Sequence, residues 1–221
     1  WVRPRTARIE HVELAVTIDL AQRRVQGSVT HRCRWIAGDH ATLTFDQHGI
    51  AISAATVDGE SAAFTVGPDV VHVVIPQGRE TFLVGFEFVT TEPRKGIYFV
   101  PADAHHVAMA WTQGAMEDHA HWFPCYDSPN NFSTYRLALQ HRSELAAIAG
   151  GVRVSESDTV DGWRVTTYVQ DRPHVLYLLN VVVGDFVAVE DPTCTVPVTH
   201  WLPRGREACS PAIFRATGFA I

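Results

Sequence analysis

The chain has no hydrophobic run long enough to cross a membrane. No 18 consecutive uncharged apolar residues occur, so no membrane span is expected. It also has no block of like charge. Lysine and arginine number 18 against 24 acidic residues, a net charge of -6 that argues against nucleic acid or an anionic membrane as the main partner. The four cysteines (Cys33, Cys125, Cys194 and Cys209) form no CxxC pair. Reduced buried thiols are the expectation, with a disulfide or metal ligation as alternatives. HExxH, G-x-S-x-G and a glycine-rich phosphate loop are all missing, which removes the usual signs of a zinc protease centre, a hydrolase elbow and a nucleotide site. There is no internal repeat, no low-complexity tract and almost no helical period. No initiator Met or signal peptide precedes Trp1, so a processed or trimmed product is expected. The compartment is not encoded; a soluble, cytoplasmic protein is the favoured expectation.

What is present is strand pattern. With 221 residues, 46% of them hydrophobic and 19% charged, the chain can bury the core of one large β domain or two small ones. Val12, Leu14, Val16, Ile18 and Leu20 alternate with polar residues or Ala15, the period of a half-buried strand. After a polar turn at Gln22–Arg24, Val25, Gly27, Val29, His31, Cys33 and Trp35 share one face of a second strand, and the two read as a long hairpin. Leu43 and Phe45 mark a third strand. Ile50, Ile52 and Val57 lead to Asp58-Gly59, a tight-turn signal. Phe64 and Val66, the apolar run Val70 to Ile75 (read as a core strand), and Phe82 to Phe88 follow. Short strands are expected over Ile97–Val100 and Val107–Trp111, and alternation returns at Tyr135, Leu137 and Leu139. Asp161-Gly162 is a further turn, and Val196–Leu202 a last strand. Ser210 as N-cap and Pro211 at the first helical position predict a helix running past Phe214 and Phe219. That helix has nothing left in the chain to pack on. Residues 1–203 therefore read as one β domain, and 204–221 as a linker and first helix leading into a second domain that is missing. About a dozen short strands with frequent turns predict an all-β sandwich.

One stretch departs from this pattern: Trp111 to Asn131, WTQGAMEDHAHWFPCYDSPNN. Gln113, Glu117, Asp118, His119, His121, Cys125 and Asp127 are interleaved with aromatics, and Pro124 and Pro129 break any regular element. Such a loop on a β scaffold is where function tends to sit. Gln113 can hydrogen-bond a peptide-like ligand through both ends of its carboxamide, or simply satisfy the loop backbone. Asp127 suits either an Asx-type turn or catalysis. His119 and His121, at i and i+2, would share one face of a strand and make a metal pair, but no third ligand completes it. His11, His31, His40, His48, His72, His141, His174 and His200 are scattered and read as structural or surface residues. From residues alone two classes stand: a substrate-contacting part of an enzyme, or a binding module.

Thr112-Gln113, Phe123-Pro124-Cys125, Asp127 and Pro129 resemble the signature of the N-terminal domain of aminopeptidase N-like zinc metallopeptidases, the gluzincin aminopeptidases. There, T-Q-x-E is followed ten residues after the Gln by F-P-C-x-D-x-P, and Gln113 to Phe123 keeps that spacing. Gly96-Ile97-Tyr98-Phe99 is similar to the family's G-[LF]-Y-F, and Tyr177 through Phe186 to its Y-L-x-x-x-x-V-G-D-F ending, so the likeness covers essentially the whole chain.

The resemblance implies a saddle-like β-sandwich that docks on the protein's own catalytic domain. It implies a peptide substrate and zinc in the full-length parent, with no catalytic residue and no metal ligand in this fragment. The site residues it implies are Gln113, Ala115 and Glu117. Gln113 would contact substrate. Ala115 stands where the family has the Glu that holds the free α-amino group, and Glu117 (or Asp118) is a substitute carboxylate. The family's Arg seven residues after the Gln falls on Ala120. Gly114–Asp118 also looks like the family's G-x-M-E-N motif, but its flanks mark it as a coincidence in the N-terminal loop. The alternative is a diverged, non-catalytic binding or assembly module of the same family.

Overall fold

The structure is a computed structural model and describes residues 5–36, 40–104 and 106–217. In chain order the strands are β1 (Ala7–Asp19), β2 (Arg24–Trp35), β3 (Thr42–Asp46), β4 (Ala51–Val57), β5 (Glu60–Ser61) and β6 (Phe64–Val66). Next come β7 (Val70–Val74), β8 (Thr81–Thr91), β9 (Gly96–Val100), β10 (Met109–Gln113), β11 (Phe132–Arg142) and β12 (Ala146–Ala149). Last are β13 (Val152–Asp158), β14 (Trp163–Val175), β15 (Val181–Gly184), β16 (Phe186–Glu190) and β17 (Thr199–Pro203), followed by a short helix, α1 (Ser210–Ile213). The all-β expectation holds.

An eight-stranded sheet runs in the order β13-β14-β11-β1-β2-β8-β4-β5. Smaller sheets are β12-β15-β10-β9, β3-β7-β6 and the pair β16-β17. The long hairpin is β1 with β2, in register from Ala7 opposite Trp35 to Asp19 opposite Arg24. β1 pairs on its other side with β11 in parallel, His11 opposite Thr134 through Thr17 opposite Gln140. At the β4–β5 turn Asp58 and Gly59 both have positive φ (51° and 87°), the backbone a two-residue hairpin of right-handed twist requires.

The alternation read from the sequence becomes the inner face of the large sheet. Leu14, Val29, Phe86 and Leu137 point the same way and are buried, each side chain contributing about 1.5–3 kcal/mol. Two small sheets cover that face. Phe45 on β3 meets Phe86 edge-on at 5.2 Å, and the Tyr168 hydroxyl on β14 donates to the Ala147 carbonyl on β12 at 2.9 Å.

Some expectations need correction. The Val70–Ile75 run is not a wholly buried strand: Val71 and Val73 are buried while Val74 is 48% exposed, because β7 covers the core with one face only. β13 carries no alternation to read, since all seven of its residues are exposed. Only Cys33 and Cys125 are buried; Cys194 is partly exposed and Cys209 exposed, and no disulfide joins the four. The C-terminal helix is four residues long, its N-cap is Cys209 rather than Ser210, and Phe214 ends it; Phe219 lies outside the described residues. This segment does find a packing partner, because Phe214 stacks on His200 of β17 at 3.8 Å. No helix of the described residues is long and apolar enough to cross a membrane.

Candidate functional site

β10 carries the chain out of the four-stranded sheet at Gln113, and β11 takes it into the large sheet at Phe132. The loop between them divides into an exposed tip, Gln113–Glu117, and a buried root, His119–Asn131.

The root wedges between the small sheets. A 3-10 turn spans His119–His121, and Trp122 through Ser128 are buried. The Trp122 and Phe123 rings meet at 4.6 Å. From the large sheet, Thr90 Oγ1 donates to the Trp122 carbonyl at 3.2 Å, and His31 Nε2 donates to the Pro124 carbonyl at 2.9 Å. Burial lowers the His31 pKa to about 4, so the ring is neutral. From the three-stranded sheet, Asp46 and Cys125 exchange both backbone hydrogen bonds (2.7 and 3.1 Å), and the His48 amide donates to the Ala120 carbonyl at 2.7 Å. Asn131 closes the root by pairing its side-chain amide with Ile9 N and O, at 3.0 and 2.9 Å, beside a register shift in β1.

Asp127 bonds back along the loop rather than capping its own turn. Its Oδ2 accepts the Ala120 amide at 3.0 Å, at the head of the 3-10 turn, where amides lack helical partners. Its own amide donates to Asp46 Oδ2 at 2.9 Å. Burial pushes the Asp127 carboxyl up to about 7; the Ala120 amide opposes that shift and the Asp46 charge adds to it.

His119 and His121 do not share one face. They sit on the 3-10 turn, not a strand, and point apart. His121 stacks on His48 at 4.4 Å. His119 is fully buried, and its Nδ1 accepts the Trp122 indole N–H at 2.8 Å, which places the ring hydrogen on Nε2. Among the described residues no three His, Cys, Asp or Glu stand together in a way that could hold a metal ion.

The tip is different. Gln113, Ala115, Met116 and Glu117 are all exposed, Met116 at 81%. Gln113 Oε1 accepts the Ala115 amide at 3.0 Å, which leaves the carboxamide NH2 facing outward as a double donor. Glu117 has φ +73°, a left-handed conformation uncommon for residues other than glycine. The tip closes with the Asp118 amide on the Gly114 carbonyl at 3.2 Å, and Lys95 holds the Asp118 carboxylate at 3.3 Å. Gln113, Ala115 and Glu117 are thus brought together on one exposed turn, with a donor amide and a carboxylate available to a ligand. Ala120 stands apart from them, fully buried in the root with its amide and carbonyl both engaged.

His31, Asp46 and Lys95 support this loop and were not singled out from the sequence. A histidine on an otherwise apolar strand face was the one available sign for His31; nothing local marks Asp46 or Lys95.

Residues 8–178 match the family model described as the Peptidase M1 N-terminal domain. The chain is 23% identical over 193 residues to leucine aminopeptidase 2 of Kluyveromyces lactis, covering 83% of this chain and 28% of that protein. It is 28% identical over 122 residues to aminopeptidase M1 of Arabidopsis thaliana, covering 54% and 14%. The matched region thus spans less than a third of the length of these relatives. Its fold is similar to an M1 zinc metallopeptidase mutant of Deinococcus radiodurans bound to a Tyr-Ser-Ala substrate, with a TM-score of 0.78, 20% identity, and 92% of this chain and 49% of that one covered. Leukotriene A4 hydrolase of Saccharomyces cerevisiae also has a TM-score of 0.78, with 17% identity and coverage of 91% and 32%.

Proposed function

Because the chain belongs to the Peptidase M1 N-terminal domain family, we propose that it is the substrate-contacting β domain of a zinc aminopeptidase. The observation that carries this reading is the exposed tip held on a buried root, with Gln113 and Glu117 as its outward polar groups. In it, residues 1–203 are the β domain and 204–221 lead to a catalytic domain that would hold the zinc, which would supply Lewis-acid chemistry at the scissile bond. In this reading the zinc belongs to that other domain. This chain's part is binding. The Gln113 NH2 donates to a peptide carbonyl near the scissile bond. The Glu117 carboxylate accepts from the free α-ammonium, in place of the carboxylate that Ala115 lacks. The thiol of exposed Cys209 suits a reducing cytoplasm.

Steady-state cleavage of Tyr-Ser-Ala by the full-length protein tests the reading. Gln113→Ala is expected to lower kcat/KM about tenfold or more. Unchanged kinetics would overturn the role of the tip. The pure 221-residue chain with added zinc is expected to cleave nothing, and measurable cleavage would overturn the division of labour.

Ala115 favours a second reading, a binding module that has lost exopeptidase activity. Truncating a buried, charge-paired carboxylate costs about 2–5 kcal/mol, and this position has none. Ala115→Glu in the full-length protein separates the two: a large gain on free-amine peptides shows an intact pocket, and no gain favours the module.

A further inference from the structure

The tip turns back on a single buried side chain. A Cβ built on Gly114 would lie 2.2 Å from His119 Nε2 and 2.6 Å from Cε1, so the ring edge rests directly on the Gly114 backbone. The same Cβ would lie 2.7 Å from the Tyr177 carbonyl, so Gly114 is held between His119 and the chain around Tyr177. His119 itself is fixed from the far side by the Trp122 indole at 2.8 Å, and its rings meet Trp122 at 5.8 Å and Phe123 at 5.9 Å. Its Nε2 faces the Leu176 and Leu179 carbonyls without an aligned hydrogen bond. Burial keeps the ring neutral at ordinary pH, with Asp118 the one charged side chain acting on it.

We infer that His119 is a positioning residue: its Nε2 edge sets the Gly114 backbone, and through it the direction in which Gln113 presents its carboxamide. This rests on the reading of Gln113 as a substrate contact. Two jobs share one ring. The Nδ1 side bonds the root through Trp122, and the Nε2 side shapes the tip through Gly114. A side chain that reaches only one of these partners separates the jobs.

The test has two parts. The first needs no activity. Hydrogen exchange on the 221-residue chain compares wild type with His119→Ala, His119→Asn and His119→Gln. Asparagine presents an acceptor near the Nδ1 position, and glutamine an amide near the Nε2 position. His119→Asn is expected to recover thermal stability while the amides of residues 114–118 exchange about tenfold faster than in wild type. His119→Gln is expected to protect those amides. Equal protection of the tip in wild type, His119→Ala and His119→Asn overturns the inference, whatever the activity. The second part is a double-mutant cycle in the full-length protein on Tyr-Ser-Ala. His119→Asn is expected to raise KM about tenfold alone and less than about twofold in a Gln113→Ala background. The same fold-change in both backgrounds overturns it, because a purely structural loss would add. If Gln113→Ala alone changes nothing, the proposed function fails, and the exchange data still decide the positioning role.

Discussion

The root and the tip of the Trp111–Asn131 loop look alike as sequence and behave as opposites in the fold. Both carry acids or amides among large apolar side chains. In the root, each polar side chain meets a backbone partner: Asp127 takes the Ala120 amide within the loop, Asn131 pairs with Ile9 of β1, and His31 of β2 reaches in to the Pro124 carbonyl. In the tip, Gln113 and Glu117 face solvent, and only the Gln113 oxygen is committed. Density of polar residues therefore does not mark chemistry by itself. The partner of each polar group does: inward backbone contacts belong to construction, and outward unpaired donors and acceptors are open to a ligand.

The largest break in this comparison comes from emptying the root. Trp122 is fully buried where β8, β9 and the loop converge, so removing its ring opens a cavity in the root. Trp122→Ala is expected to cost about 3–5 kcal/mol in urea unfolding of the 221-residue chain. A loss below about 1.5 kcal/mol would mean that the root does not act as a wedge between the sheets.

A smaller effect tests the electrostatics of the root. Burial pushes the folded Asp127 carboxyl up to about 7 from an ordinary carboxylate value of about 4, so the folded state binds a proton more tightly. Stability from this group is full below about pH 4 and is lost as pH rises to about 7, by a few kcal/mol at most. Asp127→Asn keeps an oxygen for the Ala120 amide and removes the charge. Its unfolding free energy is expected to be flatter than that of wild type between those pH values. An identical slope would show that Asp127 is not the group responsible.

The tip should respond in the opposite sense. Gln113→Ala and Met116→Ala are each expected to change stability by less than about 0.5 kcal/mol, as exposed substitutions do. A melt showing losses as large as those in the root would erase the distinction between the two halves.

Much of this was legible in the sequence, and the exceptions have physical causes. The two-residue period of β1, β2, β8 and β11 gave the large sheet, because one face is buried and the other is wet. β13 was missed because neither of its faces is buried, so no alternation was imposed on it. Gln113 was readable as the residue that opens the loop from its place after a strand, whereas Glu117 came only from the resemblance. His119 and His121 would share a face only on a strand; they lie instead on a 3-10 turn whose Ala120 amide is held by Asp127, itself tied to Asp46 from another sheet, and nothing local in the sequence marks those partners. The resemblance put the family's Arg at Ala120. Its burial shows a position closed by packing, where an arginine would have to displace the root.

The finest test sits on the boundary between the halves. Asp118 is the last residue before the root, and Lys95 reaches its carboxylate from the turn ahead of β9. The lysine side chain is 57% exposed and the aspartate 18%, so water screens the pair. Lys95→Ala is expected to cost less than about 0.5 kcal/mol, and less still in high salt, where the Debye length falls to about 3 Å. The Asp118 amide would still hold the Gly114 carbonyl and keep the tip closed. A loss above about 1.5 kcal/mol in the same unfolding assay would move the boundary: Asp118 would then belong to the root, and the turn from Gln113 to Glu117 would depend on a charge outside the loop rather than on the ring beneath it.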